Sequence, residues 1–185
     1  MIGFAMCGSY CTHKRSVEQL EGLVAMDEIQ PIMSENVYSV DTYFGTAEAL
    51  RERVKALCGR EIIHTVVEAE PLGPKTPLDA LVICPCTGNT LAKIALGITD
   101  TSVTMAAKAH LRSDRPLVIA LASNDALSAN LKNIGTLLSR KNVYFVPMTQ
   151  DDPVKKPHSL VADFSKLIPT YEAAMRGKQY QKIFI

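Results

Sequence analysis

The sequence predicts an α/β protein built as a doubly wound parallel sheet between two layers of helices. Three observations predict it. Short apolar runs alternate with amphipathic stretches, the pattern of buried parallel strands joined by crossover helices. The chain has 185 residues, 47% of them hydrophobic and 21% charged, which suits one domain with a full-sized core and lies far from the composition of disordered chains. Small polar residues follow several of the runs, at the carboxyl ends of strands where such sheets bind ligands.

Residues 2–7 read as a first buried strand, Gly8-Ser9-Tyr10-Cys11-Thr12 as a turn, and residues 16–26 as a helix carrying Val17, Leu20, Leu23 and Val24 on one face. Residues 29–33 form a second strand ending at Ser34, and residues 46–57 a helix with Ala47, Leu50, Val54 and Leu57 aligned and Gly59 as its stop. The β-branched run at 62–67 predicts a third strand, and Pro71, Gly73, Pro74 and Pro77 a stiff loop. Residues 80–84 are the clearest buried strand, running into the turn Cys84-Pro85-Cys86-Thr87-Gly88-Asn89-Thr90 before helices at 91–96 and 101–111. A strand at 117–122, a helix at 126–138 and a last strand at 143–146 complete the pattern. The whole chain, 1–185, reads as one domain in which 147–185 is a C-terminal extension: a charged, proline-bounded loop, then a helix at 160–175 interrupted near Pro169.

The bulk numbers exclude several classes of function. A formal charge of +1 without a basic run gives no general attraction to nucleic acid or anionic membranes. No apolar run approaches the roughly 18 residues of a membrane span, and the first seven residues lack the charged start of a signal peptide, so a cytoplasmic location is expected. Five cysteines are an odd number in a chain that needs no staples, and reduced thiols follow. The C-x-x-x-C of Cys7 and Cys11 and the C-x-C of Cys84 and Cys86 lack zinc-finger spacing, so no metal site is expected.

Gly8-Ser9, Ser34, Thr87-Gly88-Asn89-Thr90 and Ser123-Asn124 each follow a strand, so four segments converge on one rim. Glycine there allows close backbone approach, while hydroxyls and helix-starting N–H groups donate to anionic oxygens, which suits a phosphate-bearing ligand. No G-x-G-x-x-G fingerprint and no G-x-x-x-x-G-K-[ST] loop occurs, which argues against dinucleotide binding and ATP hydrolysis of the usual kinds. Helix capping alone would also explain these residues one at a time. Their joint placement is what points to a site.

The turn at 84–90, with Leu91-Ala92-Lys93-Ile94-Ala95, Gly97-Ile98, Asp100, Gly8-Ser9 and Ser34, resembles the P-A-S-A-N-T region of the homo-oligomeric flavin-containing cysteine decarboxylases, a group that includes phosphopantothenoylcysteine decarboxylase and flavin prenyltransferase. The resemblance implies a Rossmann-like, flavoprotein-type three-layer sandwich that binds FMN through Gly8, Ser9, Ser34, Thr87, Asn89, Thr90 and Ser123, in a homo-oligomer built on trimers. The decarboxylase histidine ahead of the turn is replaced by the Glu70-Pro71 region, with His64 too early to align, and the P-x-M-N-x-x-M-W substrate segment is replaced by Ala122-Ser123-Asn124-Asp125-Ala126-Leu127.

One branch fits these departures. The segments at 64–75, 105–108, 115–116, 123–127, 141–147 and 150–157 resemble the family of dipicolinate synthase B subunits. That resemblance implies a cytoplasmic enzyme subunit of a spore-forming bacterium, in the mother cell, which works with the dipicolinate synthase A subunit to oxidise dihydrodipicolinate to dipicolinate. NAD(P) would be carried by the A subunit, with the hydride passing either to a flavin here or to that nicotinamide. An FMN-dependent decarboxylase or prenyltransferase-like flavoprotein, or a binding subunit without flavin, are the alternative readings. A small dicarboxylate substrate asks for cations, and Lys93, Lys108, Lys132, Lys155 and Lys156 are available. His64 and Glu70 are the weak candidates for proton transfer, and Cys86 for lining the ligand ring.

Overall fold

The structure is a computed structural model and describes residues 1–73 and 75–185. Pro74, one of the residues read as a stiff loop, lies outside the described residues. The strands are β1 (Ile2–Met6), β2 (Ile29–Met33), β3 (Ala80–Cys86), β4 (Leu117–Ser123), β5 (Val143–Phe145), β6 (Met148–Asp152) and β7 (Lys156–Ala162). The helices are α1 (His13–Val24), α2 (Glu35–Ser39), α3 (Ala47–Cys58), α4 (Val66–Ala69), α5 (Gly88–Leu96), α6 (Ser102–Leu111), α7 (Leu131–Leu138) and α8 (Leu167–Met175).

Every residue of β1, β3 and β4 is buried, as strands covered by helices on both faces must be. Alternate side chains therefore feed two cores. Phe4, Met6, Val82, Val118 and Ala120 pack with Leu20 and Leu23 of α1, Val54 of α3 and Leu167 of α8. Ala5, Ile83, Ile119 and Leu121 pack with Leu91 of α5, Val103 of α6 and Ile134 of α7. Leu20 and Leu23 are fully buried, and each such side chain contributes about 2 kcal/mol of transfer free energy. The result is the expected three-layer α/β sandwich.

The sheet order is β2-β1-β3-β4, after which β4 is shared. β5 pairs in parallel with its first half at Leu117 to Ile119, and β7 pairs antiparallel with its end at Ala122 and Ser123. The chain goes outward from β1 to β2 and then crosses to β3 on the other side of β1. The strand order thus reverses between β1 and β3, and loops from these two strands diverge to leave a crevice at their carboxyl ends.

Five local expectations are corrected. The run at 62–67 is not a strand: only Ile63 bridges Ile32, and α4 starts at Val66. A capping box decides this, because Thr65 accepts from the Glu68 N–H and the Glu68 carboxylate accepts from the N–H groups of Thr65 and His64. Residues 124–130 are turns, held as the Asp125 carbonyl accepts from the N–H groups of Ser128 and Asn130, so α7 begins only at Leu131. The seven-residue turn at 84–90 shrinks to Thr87, since β3 continues to Cys86 and α5 starts at Gly88. The charged loop after residue 147 is a hairpin, β6 and β7, whose exposed tip hides the usual alternation. Pro169 interrupts nothing, because it lies in the first turn of α8, where the missing N–H has no intrahelical partner to lose.

Candidate functional site

The rim is assembled from the ends of β1 to β4. After β1, the Cys7 N–H donates to the Pro85 carbonyl at 3.1 Å, tying the first loop to β3. Gly8 sits inside a tight turn closed by Ser9 N–H to Cys7 O at 2.8 Å, and the Ser9 carbonyl accepts both the N–H and the hydroxyl of Thr12. His13 pins this loop from below: its Nε2 bonds the Cys7 carbonyl at 2.9 Å, and burial lowers its pKa. Sequence reasoning missed His13, which shows in one sequence only as a polar residue at a helix start. After β2, Ser34 caps α2, its N–H bonded to the Met6 carbonyl at 3.0 Å, and Ser102 of α6 donates to the Met33 carbonyl at 2.6 Å.

After β3, Thr87 caps α5: its Oγ1 accepts from the Thr90 N–H at 3.2 Å and donates to the Thr90 hydroxyl at 3.1 Å. Thr90 is buried and Asn89 points out, exposed. After β4, the Ser123 hydroxyl donates to Asp125 at 2.5 Å, and Asn130 Nδ2 donates to both Asp125 oxygens at 2.9 Å. The donors, Ser123 first and then Asn130, hold the Asp125 carboxyl below the usual carboxylate range. Gly88 packs under this group. A Cβ there would overlap Ser123 Oγ and stand 2.7 Å from Asn130 Nδ2 and 2.8 Å from Asp125 Oδ1. Asp125 and Asn130 were not among the expected site residues, because only the fold brings them over the start of α5.

The rim therefore collects donors. Among the described residues the side chains of Ser9 and Asn89 and the N–H of Gly8 have no intramolecular partner, and the first N–H groups of α5 face outward as helix starts do. This donor set, with Gly8 and Gly88 among the rim residues, has the chemistry that a phosphate-bearing ligand needs.

The other expected residues are placed differently. His64 stacks on Tyr38 with ring centroids 3.7 Å apart, and its Nδ1 lies 3.3 Å from Glu68, so it is held at the edge beyond β2. Glu70 is exposed at the end of α4. Lys93 pairs with Asp100 at 2.9 Å and Lys156 with Asp151 at 2.5 Å, while Lys108, Lys132 and Lys155 are exposed on α6, α7 and the hairpin tip. Cys86 turns into the core rather than toward a ligand, and burial pushes its thiol well up. Burial likewise raises Cys7 to about 11 and Cys84 to about 12, so these thiols stay protonated at neutral pH.

A groove of about 840 Å3 lies beside the rim, between α1 and the segment at 37–53, and shares Tyr10 and Cys11 with the first loop. Its floor is apolar, with Val17, Val37 and Leu50, and its Glu21 and Arg53 satisfy each other. None of the seven expected ligand residues lines it. The unpartnered donors, not this concavity, mark the candidate site.

Residues 1–169 match the flavoprotein family model. The chain belongs to the flavoprotein family. It is 45% identical over all 185 residues to the dipicolinate synthase B subunit of Bacillus subtilis (strain 168), covering 92% of that protein. The crystal structure of the dipicolinate synthase B subunit from Bacillus halodurans superposes with a TM-score of 0.91 at 44% identity, over 100% of this chain and 95% of that one. A flavin prenyltransferase of Thermoplasma acidophilum is 30% identical over 124 residues, 61% of this chain and 68% of that protein. The chain is thus homologous over its full length to one component of an enzyme, dipicolinate synthase, and this homology bears out the resemblance read from the sequence segments. No helix among the described residues is long and apolar enough to cross a membrane.

Proposed function

We propose that this chain acts as the B subunit of a dipicolinate synthase, carrying FMN at the rim and working with the A subunit in the oxidation of dihydrodipicolinate to dipicolinate. The full-length identity of 45% carries this reading, because it extends across segments outside the flavin-type turn. The free donors of Gly8, Ser9, Asn89 and the start of α5 support the ligand assignment, with Ser34, Thr87, Thr90 and Ser123 shaping the loops that present them. When bound, a flavin supplies two-electron hydride chemistry. The residues of this chain orient and hold; Cys7, Cys84 and Cys86 are buried with their thiols pushed up, and His64 is engaged by Tyr38 and Glu68. NAD(P) belongs to the A subunit in this reading, and a homo-oligomer based on trimers in the mother-cell cytoplasm is part of it.

The lack of an unengaged acid or base among these rim groups favours one second reading, in which the chain completes the site of the A subunit without flavin. An absorbance spectrum, FMN titration and an NAD(P)H-coupled assay with and without the A subunit separate the two. The expected outcome is a flavin spectrum after reconstitution and activity in the mixture that rises with FMN. A colourless protein that titrates no FMN yet supports full activity in the mixture would select the second reading. No activity in any mixture would remove both.

A further inference from the structure

The hydrogen bonds around Asp125 run in one direction. Asn133 Nδ2 donates to Asn130 Oδ1 at 2.8 Å, which turns the Asn130 amide so that its Nδ2 donates to Asp125. Asn130 and Asn133 are 5% and 6% exposed, so water does not offer them an equivalent alternative. An ionised carboxylate only accepts, and the other side-chain donor into Asp125 is the Ser123 hydroxyl. The proton of Ser123 is therefore committed inward. What its oxygen has left for anything beside it is lone pairs.

Gly88 makes this arrangement possible, because Ser123 Oγ, Asn130 Nδ2 and Asp125 Oδ1 occupy the space a Cβ would take. The relay thus locks the end of β4 against the first turn of α5, on the β3 and β4 side of the rim. We propose that Asp125 is a positioning residue, which fixes Ser123 as a hydrogen-bond acceptor so that Ser123 receives a donor group of the bound ligand. This rests on the rim being the flavin site. It differs from the ordinary expectation for a rim serine, that of donating its hydroxyl proton to the ligand. It also gives the loop that replaces the substrate segment of the decarboxylases a role of its own.

The test is a double-mutant cycle on FMN binding, read by quenching of flavin fluorescence in Ser123→Ala, Asp125→Asn and the double variant. Each single change is expected to weaken binding about 10-fold, and the double variant no more than the worse single, because Asp125 acts through Ser123. Ser123→Thr, which keeps the hydroxyl, is expected to retain most of the affinity. Asp125→Asn binding within about two-fold of the parent, or a double variant that loses the product of the two effects, overturns the proposal. If Asp125→Asn does not fold, Asn130→Ala carries the same cycle. If the parent protein itself takes up no FMN, the flavin reading fails separately. The relay is then read by thermal unfolding of the same proteins: non-additive losses of Tm support it, and additive losses overturn it.

Discussion

The two halves of the rim are built on opposite terms. On the β3 and β4 side, Thr87, Gly88, Ser123, Asp125 and Asn130 form a closed set in which donors meet acceptors and not even a methyl group can be added. On the β1 and β2 side the loop is pinned by its backbone and by His13, but the Ser9 side chain and the Gly8 N–H remain free, and a Cβ on Gly8 would meet its nearest neighbour, the Tyr10 side chain, at an ordinary 3.5 Å. On the β3 and β4 side the side chains packed around Gly88 satisfy one another, and Asn89 and the first N–H groups of α5 stay open beside them, whereas on the β1 and β2 side the open groups sit on a loop with room to spare. A shared position at strand ends therefore does not imply a shared role: Thr87, Gly88, Ser123, Asp125 and Asn130 fix the shape of the rim, while Gly8, Ser9, Asn89 and the first N–H groups of α5 are left to bind.

The largest effect should come from adding a methyl to each half. Gly88→Ala is expected to cost about 2 kcal/mol or more in chemical unfolding, against the usual gain for Gly to Ala in a helix, because the relay cannot move aside without breaking hydrogen bonds. Gly8→Ala should change stability by no more than about 0.5 kcal/mol, since its new contact is an ordinary one. Equal losses at both glycines would erase the contrast.

Next in size is Asn89→Asp. Asn89 is the second residue of α5, where a carboxylate stabilises the helix by roughly 0.3–1 kcal/mol, yet it replaces an amide donor with a charge that repels a phosphate-bearing ligand. FMN affinity is expected to fall about 10-fold or more while Tm holds or rises slightly, the two moving apart as binding and folding roles separate. Unchanged affinity in the titration would remove Asn89 from the site. The smallest effect belongs to the outer edge. Thr65→Ala removes the capping box of α4 and should cost about 1 kcal/mol in urea unfolding.

Much of this was legible in the chain. The strands at 80–84 and 117–122 and the helix stop Gly59 announce themselves, because a strand covered on both faces must be apolar throughout and a helix end must satisfy its own backbone groups. Ser9 and Asn89 were legible as rim residues for the same reason: a doubly wound sheet puts the ends of its strands together. The hairpin of β6 and β7 was not legible, since its tip is exposed and its strands gain their place only by pairing with the last two residues of β4. Nor was the start of α7, which a periodic apolar pattern placed at 126 until the backbone turn around Asp125 moved it to Leu131.

By itself the sequence determined the layers and the rim, because apolar periodicity and turn residues are local properties, and it pointed to the family through the resemblance of its segments. Only the tertiary structure decided which side chains are spent and which are free. Asp125, Asn130 and Asn133 lie within a single short stretch, but the carboxylate gains its meaning from Gly88, on a different strand-helix unit, whose bare Cα leaves room for it. Satisfaction of a hydrogen bond depends on both partners and on the space between them, and in this fold that space is enclosed by segments far apart in the chain.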